Sequence, residues 1–122
     1  MGVIKLARVY DTAEHGEGPR FLVERLWPRG VRRADLRLSG WLKDVAPSNE
    51  LRRWFGHEPE KWDEFRRRYF AELDERPGGW TPLRDATAAG DITLVYSSRD
   101  VEHNNAVALR EYVTARLDGP PR

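Results

Sequence analysis

Cysteine is absent from this 122-residue chain, and methionine occurs once. That excludes disulfides, a thiolate nucleophile and cysteine-ligated zinc. It also fits a reducing compartment, and a cytoplasmic location is expected. No apolar run approaches the ~20 residues of a membrane-spanning helix. The opening stretch, Met1 to Arg8, is too short and too polar for a secretory signal. No membrane association is expected. An excess of one charge is lacking too: 21 basic residues face 20 acidic ones, for a net charge of +1. Long-range steering toward a nucleic-acid backbone is therefore weak. The chain has no P-loop, no dinucleotide fingerprint and no nucleophile elbow. Three scattered histidines without cysteine give no metal set, and no cofactor is expected.

What the chain does have is enough apolar and aromatic residues for a core. Hydrophobic residues make up 39%, with five Trp, four Tyr and four Phe. The length fits one compact domain, taken as residues 1–118, with 119–122 as a short C-terminal tail. Val3 to Tyr10 alternates as a strand, Asp11 to Pro19 reads as a loop, and Phe21 to Leu26 as a second strand. Val31 to Pro47 has a mixed period and is expected to be irregular, with a short helix or two. Ser48 caps a helix that stops near Gly56. Trp62, Phe65, Tyr69, Phe70 and Leu73 recur at helical spacing, so Glu58 to Glu75 is a helix, ended by Pro77-Gly78-Gly79. Thr81-Pro82 opens another that closes at Gly90. Ile92 to Tyr96 is a third strand, and Asp100 caps a final helix with Ala106, Val107, Leu109, Val113 and Leu117 on its apolar side. Strands separated by helices predict an α/β fold: a small single domain with a parallel or mixed sheet flanked by helices. In such sheets ligands bind at the carboxyl ends of strands.

Two segments fall at such ends. The first is Arg20 to Gly30 (RFLVERLWPRG), where a strand runs into arginines, a tryptophan and a Pro-Arg-Gly turn. Charge at a strand end is costly to bury without a partner. The second is Ile92 to Ala106 (ITLVYSSRDVEHNNA), a strand, a polar loop and a helix start. Helix N-termini favour anions, and Ser97, Ser98 and Arg99 add donors suited to phosphate or carboxylate. The alternative is that Asp100 and the serines only cap the helix. Asn104 and Asn105 are poor helix formers, placed to bond either a ligand or the Arg20–Gly30 segment. Arg25 and Trp27 share a face in extended chain. Arg29 follows a proline that fixes its approach. Each arginine suits a bidentate anion clamp, or an internal ion pair such as Arg25 with Asp11 or Asp100. Asp11, Glu24 and His57 are the candidate proton-transfer groups. For His57 a local capping role weighs more, and His15 is expected to be solvated. The Trp54, Phe55, Trp62, Phe65 and Tyr69 series reads as core rather than as a stacking platform.

Four segments carry a resemblance: Arg8-Val-Tyr-Asp11; Leu22-Val-Glu-Arg-Leu-Trp-Pro-Arg-Gly30; Ala46-Pro-Ser48 through Leu51-Arg-Arg-Trp-Phe-Gly-His57 to Tyr69 and Ala71-Glu-Leu73; and Tyr96-Ser-Ser-Arg-Asp100 with His103-Asn-Asn-Ala106. The chain resembles the domain of unknown function 488 family, in its short YeaO-like branch, over nearly its whole length. The resemblance implies a small bacterial or archaeal α/β protein of the cytoplasm and supplies no activity, cofactor or catalytic residue. Glu24 stands where the family pattern usually has Asp. Longer relatives carry a Cys-His-Arg segment that this cysteine-free chain cannot match.

The expectation for function is a site for an anionic small molecule, bearing phosphate or carboxylate, lined by Arg25, Trp27, Arg29, Ser97, Ser98, Arg99, Asn104 and Asn105. If it turns its ligand over, the reaction is metal-independent hydrolysis or group transfer, with the arginines stabilising developing charge. One alternative is a nucleic-acid-binding or regulatory module using Arg32, Arg33, Arg37, Arg52, Arg53 and Arg66 to Arg68, which the near-neutral charge disfavours. Another is a partner-binding domain in which the LWPRG segment is a brace.

Overall fold

The structure is a computed structural model and describes residues 2–10 and 18–117. Its strands are β1 (Ile4–Arg8), β2 (Arg20–Leu22), β3 (Gly40–Trp41) and β4 (Ile92–Tyr96). They form one sheet in the order β1-β4-β2-β3, and every neighbouring pair is parallel. Five helices accompany them: α1 (Arg33–Leu36), α2 (Asn49–Phe55), α3 (Trp62–Glu75), α4 (Pro77–Ala89) and α5 (Asn105–Leu117). The fold is the expected small α/β domain, with a wholly parallel sheet.

β4 lies between β1 and β2, with Ile4 opposite Ile92 and Leu22 opposite Val95. A central parallel strand is covered on both faces and is apolar throughout rather than alternating, and all five β4 residues are buried. Successive side chains point to opposite faces. Ile92, Leu94 and Tyr96 enter a large core with Phe55, Phe65, Tyr69, Leu83 and Tyr112. Val95 enters a smaller one with Val9, Leu22 and Leu36. Trp27 and Trp41 pack on this second core edge-to-face, their centroids 5.3 Å apart. Arg33 lies 4.8 Å from the Trp27 ring centroid and Lys43 lies 4.1 Å from that of Trp41. Each fully buried aliphatic side chain contributes about 1.5–3 kcal/mol.

Four expectations are corrected. β2 pairs only through Leu22, not Leu26: after Val23 donates to the Val95 carbonyl, Trp41 Nε1 takes the Glu24 carbonyl, so the sheet ladder ends there. The irregular stretch hides β3, which pairs Gly40 with Phe21 and Trp41 with Leu22. Pro77 starts α4 rather than merely ending α3. It occupies the first helical turn, and Arg76 before it leaves the helical region at φ −132° and ψ 63°. A proline without an N–H suits that position and disfavours helix in the preceding residue. Trp80 Nε1 donates to the Leu73 carbonyl and fastens this turn to α3. Finally, α5 begins at Asn105, five residues beyond Asp100.

The α2 boundaries are as expected. The Ser48 hydroxyl accepts from the Leu51 N–H at 3.1 Å. Gly56 closes the helix at φ 55°, a left-handed conformation that a glycine adopts without steric cost.

Candidate functional site

The segments Arg20–Gly30 and Ile92–Ala106 meet at the carboxyl ends of β2 and β4. Val23 donates to Val95, the Glu24 carboxylate accepts from the Ser97 N–H at 3.0 Å, and Asn105 Nδ2 donates to the Val23 carbonyl at 2.7 Å. Beside this junction opens a cavity of about 450 Å³. Its sheet side carries Glu24, Ser97, Ser98, Asn104 and Asn105. Its helical side carries Asn49, Arg52, Arg53 and Phe55 of α2, His57 beyond it and Phe65 of α3.

Of the residues expected to form a site, Glu24, His57, Ser97, Ser98, Asn104 and Asn105 line this cavity, whereas Arg25, Trp27, Arg29 and Arg99 do not. Arg25 donates to the carbonyls of Ala46 (3.1 Å) and Pro47 (3.3 Å), holding the start of α2 rather than pairing with Asp100. Trp27 donates to the Val31 carbonyl and is packed in the second core. The Arg29 side chain is exposed, and its carbonyl accepts from Tyr10. Arg99 is exposed. Asp11 lies outside the described residues, as does His15.

The loop after β4 is not an open helix N-terminus. The Asp100 N–H donates to Ser98 Oγ, and the N–H groups of Glu102 and His103 donate to the Asp100 carboxylate. Asn104 is the cap of α5: its Oδ1 accepts from Val107, and its Nδ2 donates to the Asp100 carbonyl. The N–H groups of Asp100, Glu102, His103 and Val107 are thus engaged within this segment.

Positive charge reaches the cavity from α2 instead, a contribution the sequence reading placed only on a general basic face. Asn49, Arg52 and Arg53 stand three and four residues apart, so they share one side of the helix. The Ser48 cap fixes that phase, which makes it the sequence signal that pointed to them. Arg52 bonds Asn49 Oδ1 at 3.3 Å. Neither Arg52 nor Arg53 forms a salt bridge among the described residues, and Arg53 makes no hydrogen bond there either. The α3 arginines differ: Arg66 pairs with Glu111 and Asp63, while Arg67 and Arg68 both pair with Glu64.

The titratable groups are tuned by their surroundings. Burial holds the Glu24 carboxyl above its usual value, against the Ser97 N–H bond and the nearby positive charges of Arg52 and His57. At Asp100 burial acts upward, but the N–H groups of Glu102 and His103 and the His103 ring together hold it below its usual value. His103 Nδ1 lies 3.0 Å from Asp100 Oδ2, and its ring meets Trp62 edge-on at 5.3 Å. His57 follows Gly56 into the left-handed region at φ 60°; a non-glycine residue there costs on the order of 1–2 kcal/mol. Among the described residues no three His, Asp or Glu side chains come together as a metal set.

The fold and the cavity define a small parallel α/β protein with a polar crevice at the carboxyl ends of its central strands. The chain belongs to the DUF488 family, matching the group described as the inactive DUF488-N3 subclade over residues 3–120. It is 41% identical over 113 residues to the uncharacterized protein Rv3073c of Mycobacterium tuberculosis (strain ATCC 25618 / H37Rv), covering 93% of this chain and 95% of that relative. It is 40% identical over 110 residues to the uncharacterized protein YeaO of Escherichia coli (strain K12), covering 90% and 96%. No solved structure matches. Among the described residues no helix is long and apolar enough to cross a membrane.

Proposed function

We propose that this protein binds a small anionic molecule, carrying phosphate or carboxylate, in the cavity at the carboxyl ends of β2 and β4. The observation that carries this reading is the pair Arg52 and Arg53: two cavity-lining guanidiniums with no carboxylate salt bridge among the described residues, on a domain whose other helical arginines are mostly paired. A guanidinium presents a planar fork of donors matched to carboxylate and phosphate. The cavity volume lies within the range of about 300–1,000 Å³ common for small-molecule sites. His57 and His103 also border the cavity.

The reading is one of binding rather than turnover. The family description as inactive supports it. So does the engagement of Glu24: a carboxylate fastened by a backbone N–H is suited to holding a ligand in place. A nucleic-acid module is less well supported, because the net charge is only +1 and the arginines of α3 are paired with carboxylates. The location is taken to be the cytoplasm, consistent with the lack of cysteine.

Thermal-shift and calorimetric titration with inorganic phosphate, sugar phosphates and simple carboxylates tests the proposal, with Arg52→Ala beside wild type. Stabilisation of wild type by one anionic class, lost in folded Arg52→Ala, supports it. An equal response in both proteins, or none in either, overturns it. A short oligonucleotide run at two salt concentrations supplies the contrast, because backbone binding weakens steeply with salt.

A further inference from the structure

We propose that the ligand has two unlike ends: it is a nucleoside monophosphate whose phosphate meets Arg52 and Arg53, and whose base presents an exocyclic amino group to Glu24 and to the amide oxygen of Asn105. The inference rests on the anion-binding reading and adds the other end of the molecule.

The argument starts from what a plain anion site would not contain. Among the described residues Glu24 is the one carboxylate on the cavity lining, and a like charge beside an anion is unfavourable. A carboxylate there fits a ligand that brings its own donors. Asn105 points the same way. Its Nδ2 is engaged by the Val23 carbonyl, and its Oδ1 has no partner among the described residues, so what remains on that side chain is an acceptor. Asn104 is closed on both sides by its capping bonds. Glu24 and Asn105 therefore leave acceptors at the sheet side of the cavity, and the α2 side offers the donors of two arginines.

The lining also has an aromatic part. Phe55 and Phe65 both border the cavity, with their rings 4.5 Å apart. A flat heterocycle is the natural neighbour for such a wall. N–H donors on a planar ring, joined through a spacer to a phosphate, describe a nucleotide. Guanine, adenine and cytosine carry an exocyclic amino group, and a glutamate accepting from such a group is an established pairing. Uracil presents a carbonyl oxygen at that position, which meets Glu24 as acceptor against acceptor. A free amino acid carries its ammonium and carboxylate on one carbon, too close together to span the two sides of the cavity.

Calorimetric titration of the full chain with the 5′-monophosphates of guanosine, adenosine, cytidine and uridine, with ribose 5-phosphate and with inorganic phosphate, tests the inference. At least one amino-bearing nucleotide is expected to bind tenfold or more tighter than both uridine monophosphate and ribose 5-phosphate. Glu24→Gln is expected to remove that preference, read as the ratio of nucleotide to ribose 5-phosphate affinity within the same protein, and Arg52→Ala to weaken every phosphate ligand. Should Glu24→Gln fail to fold, Glu24→Asp, which withdraws the carboxylate by one methylene, is read by the same preference. If ribose 5-phosphate binds as tightly as every nucleotide, or if the Glu24 variant keeps the preference, this inference fails and the anion site stands. If no phosphate binds wild type, both fail.

Discussion

Asn105 Nδ2 lies 2.7 Å from the carbonyl oxygen of Val23, joining the first turn of α5 to the chain leaving β2 across 82 residues of sequence. The Val23 carbonyl lies just beyond the last β2 pairing, where the β-ladder no longer supplies a donor. One side-chain amide thus terminates β2, positions Glu24 and sets the entry of α5.

Asn105→Ala should accordingly lower stability by about 1–3 kcal/mol, the cost of leaving a buried carbonyl without a donor. Asn104→Ala should cost about 1 kcal/mol through the lost helix cap. Chemical denaturation of both variants separates the two roles: an Asn105 variant as stable as wild type would remove the tie from the account of this site.

Arg52→Ala should weaken binding of a phosphate ligand by about tenfold to a hundredfold, the range for hydrogen bonds to charged groups. It should shift stability by no more than about 0.5 kcal/mol, as expected of an exposed position. Arg29→Ala, outside the cavity, should leave affinity unchanged. Titration calorimetry of the three proteins decides, and an affinity loss in Arg29→Ala matching that in Arg52→Ala would relocate the site.

Glu24 titrates above its usual value of 4.5 because it is buried. Its ionisation is harder in the folded than in the unfolded chain. The stability it contributes is therefore present below the usual value and lost as pH rises through the folded one. Glu24→Gln should melt progressively higher relative to wild type as pH is raised from about 4 to about 7. A melting difference that does not change with pH would show that Glu24 ionises as freely folded as unfolded.

Asp100 carries the opposite sign. Held below its usual 3.8 by the loop N–H groups against its own burial, it stabilises above that value, and the contribution fades as pH falls through the folded one. Asp100→Asn should be less stable than wild type at neutral pH, with the gap closing on acidification. Melting curves across the acid range check this.

Tyr69 is fully buried in α3, and its hydroxyl donates to the Val45 carbonyl. Tyr69→Phe should cost about 1–3 kcal/mol by stranding that carbonyl. Denaturant titration with an unchanged m-value would attribute the loss to the native state.

Much of this architecture was legible in the sequence because local signals agreed with the fold. The apolar run Ile92–Tyr96 is β4 to the residue, and Ser48 and Gly56 bracket α2 as cap and stop. Both polar segments were placed at strand ends, but that they meet depends on β2 lying beside β4, which no local signal carries. What escaped was set by tertiary structure. β3 is two residues long and exists only because β2 lies beside it. Pro77 could end one helix or begin the next, and the Trp80 bond to Leu73 helps hold it in the first turn of α4. Arg25 and Arg29 looked like the anion clamp because they stand beside a conspicuous motif. Arg25 instead braces the carbonyls before α2, and the guanidiniums at the cavity belong to α2 itself.

The position of β4 also governs how the chain assembles. Among the described residues β1 pairs only with β4, and β2 is joined to β1 through it, so the sheet stays divided until residues 92–96 arrive. Ile4 must find a strand 88 residues downstream. Such distant parallel pairing makes for slow folding relative to helical proteins of similar size. β4 is the last strand to leave the ribosome, and until it does β1 lacks its partner. The cavity is complete only when β4 is in place, so this polar crevice is acquired with the last third of the chain.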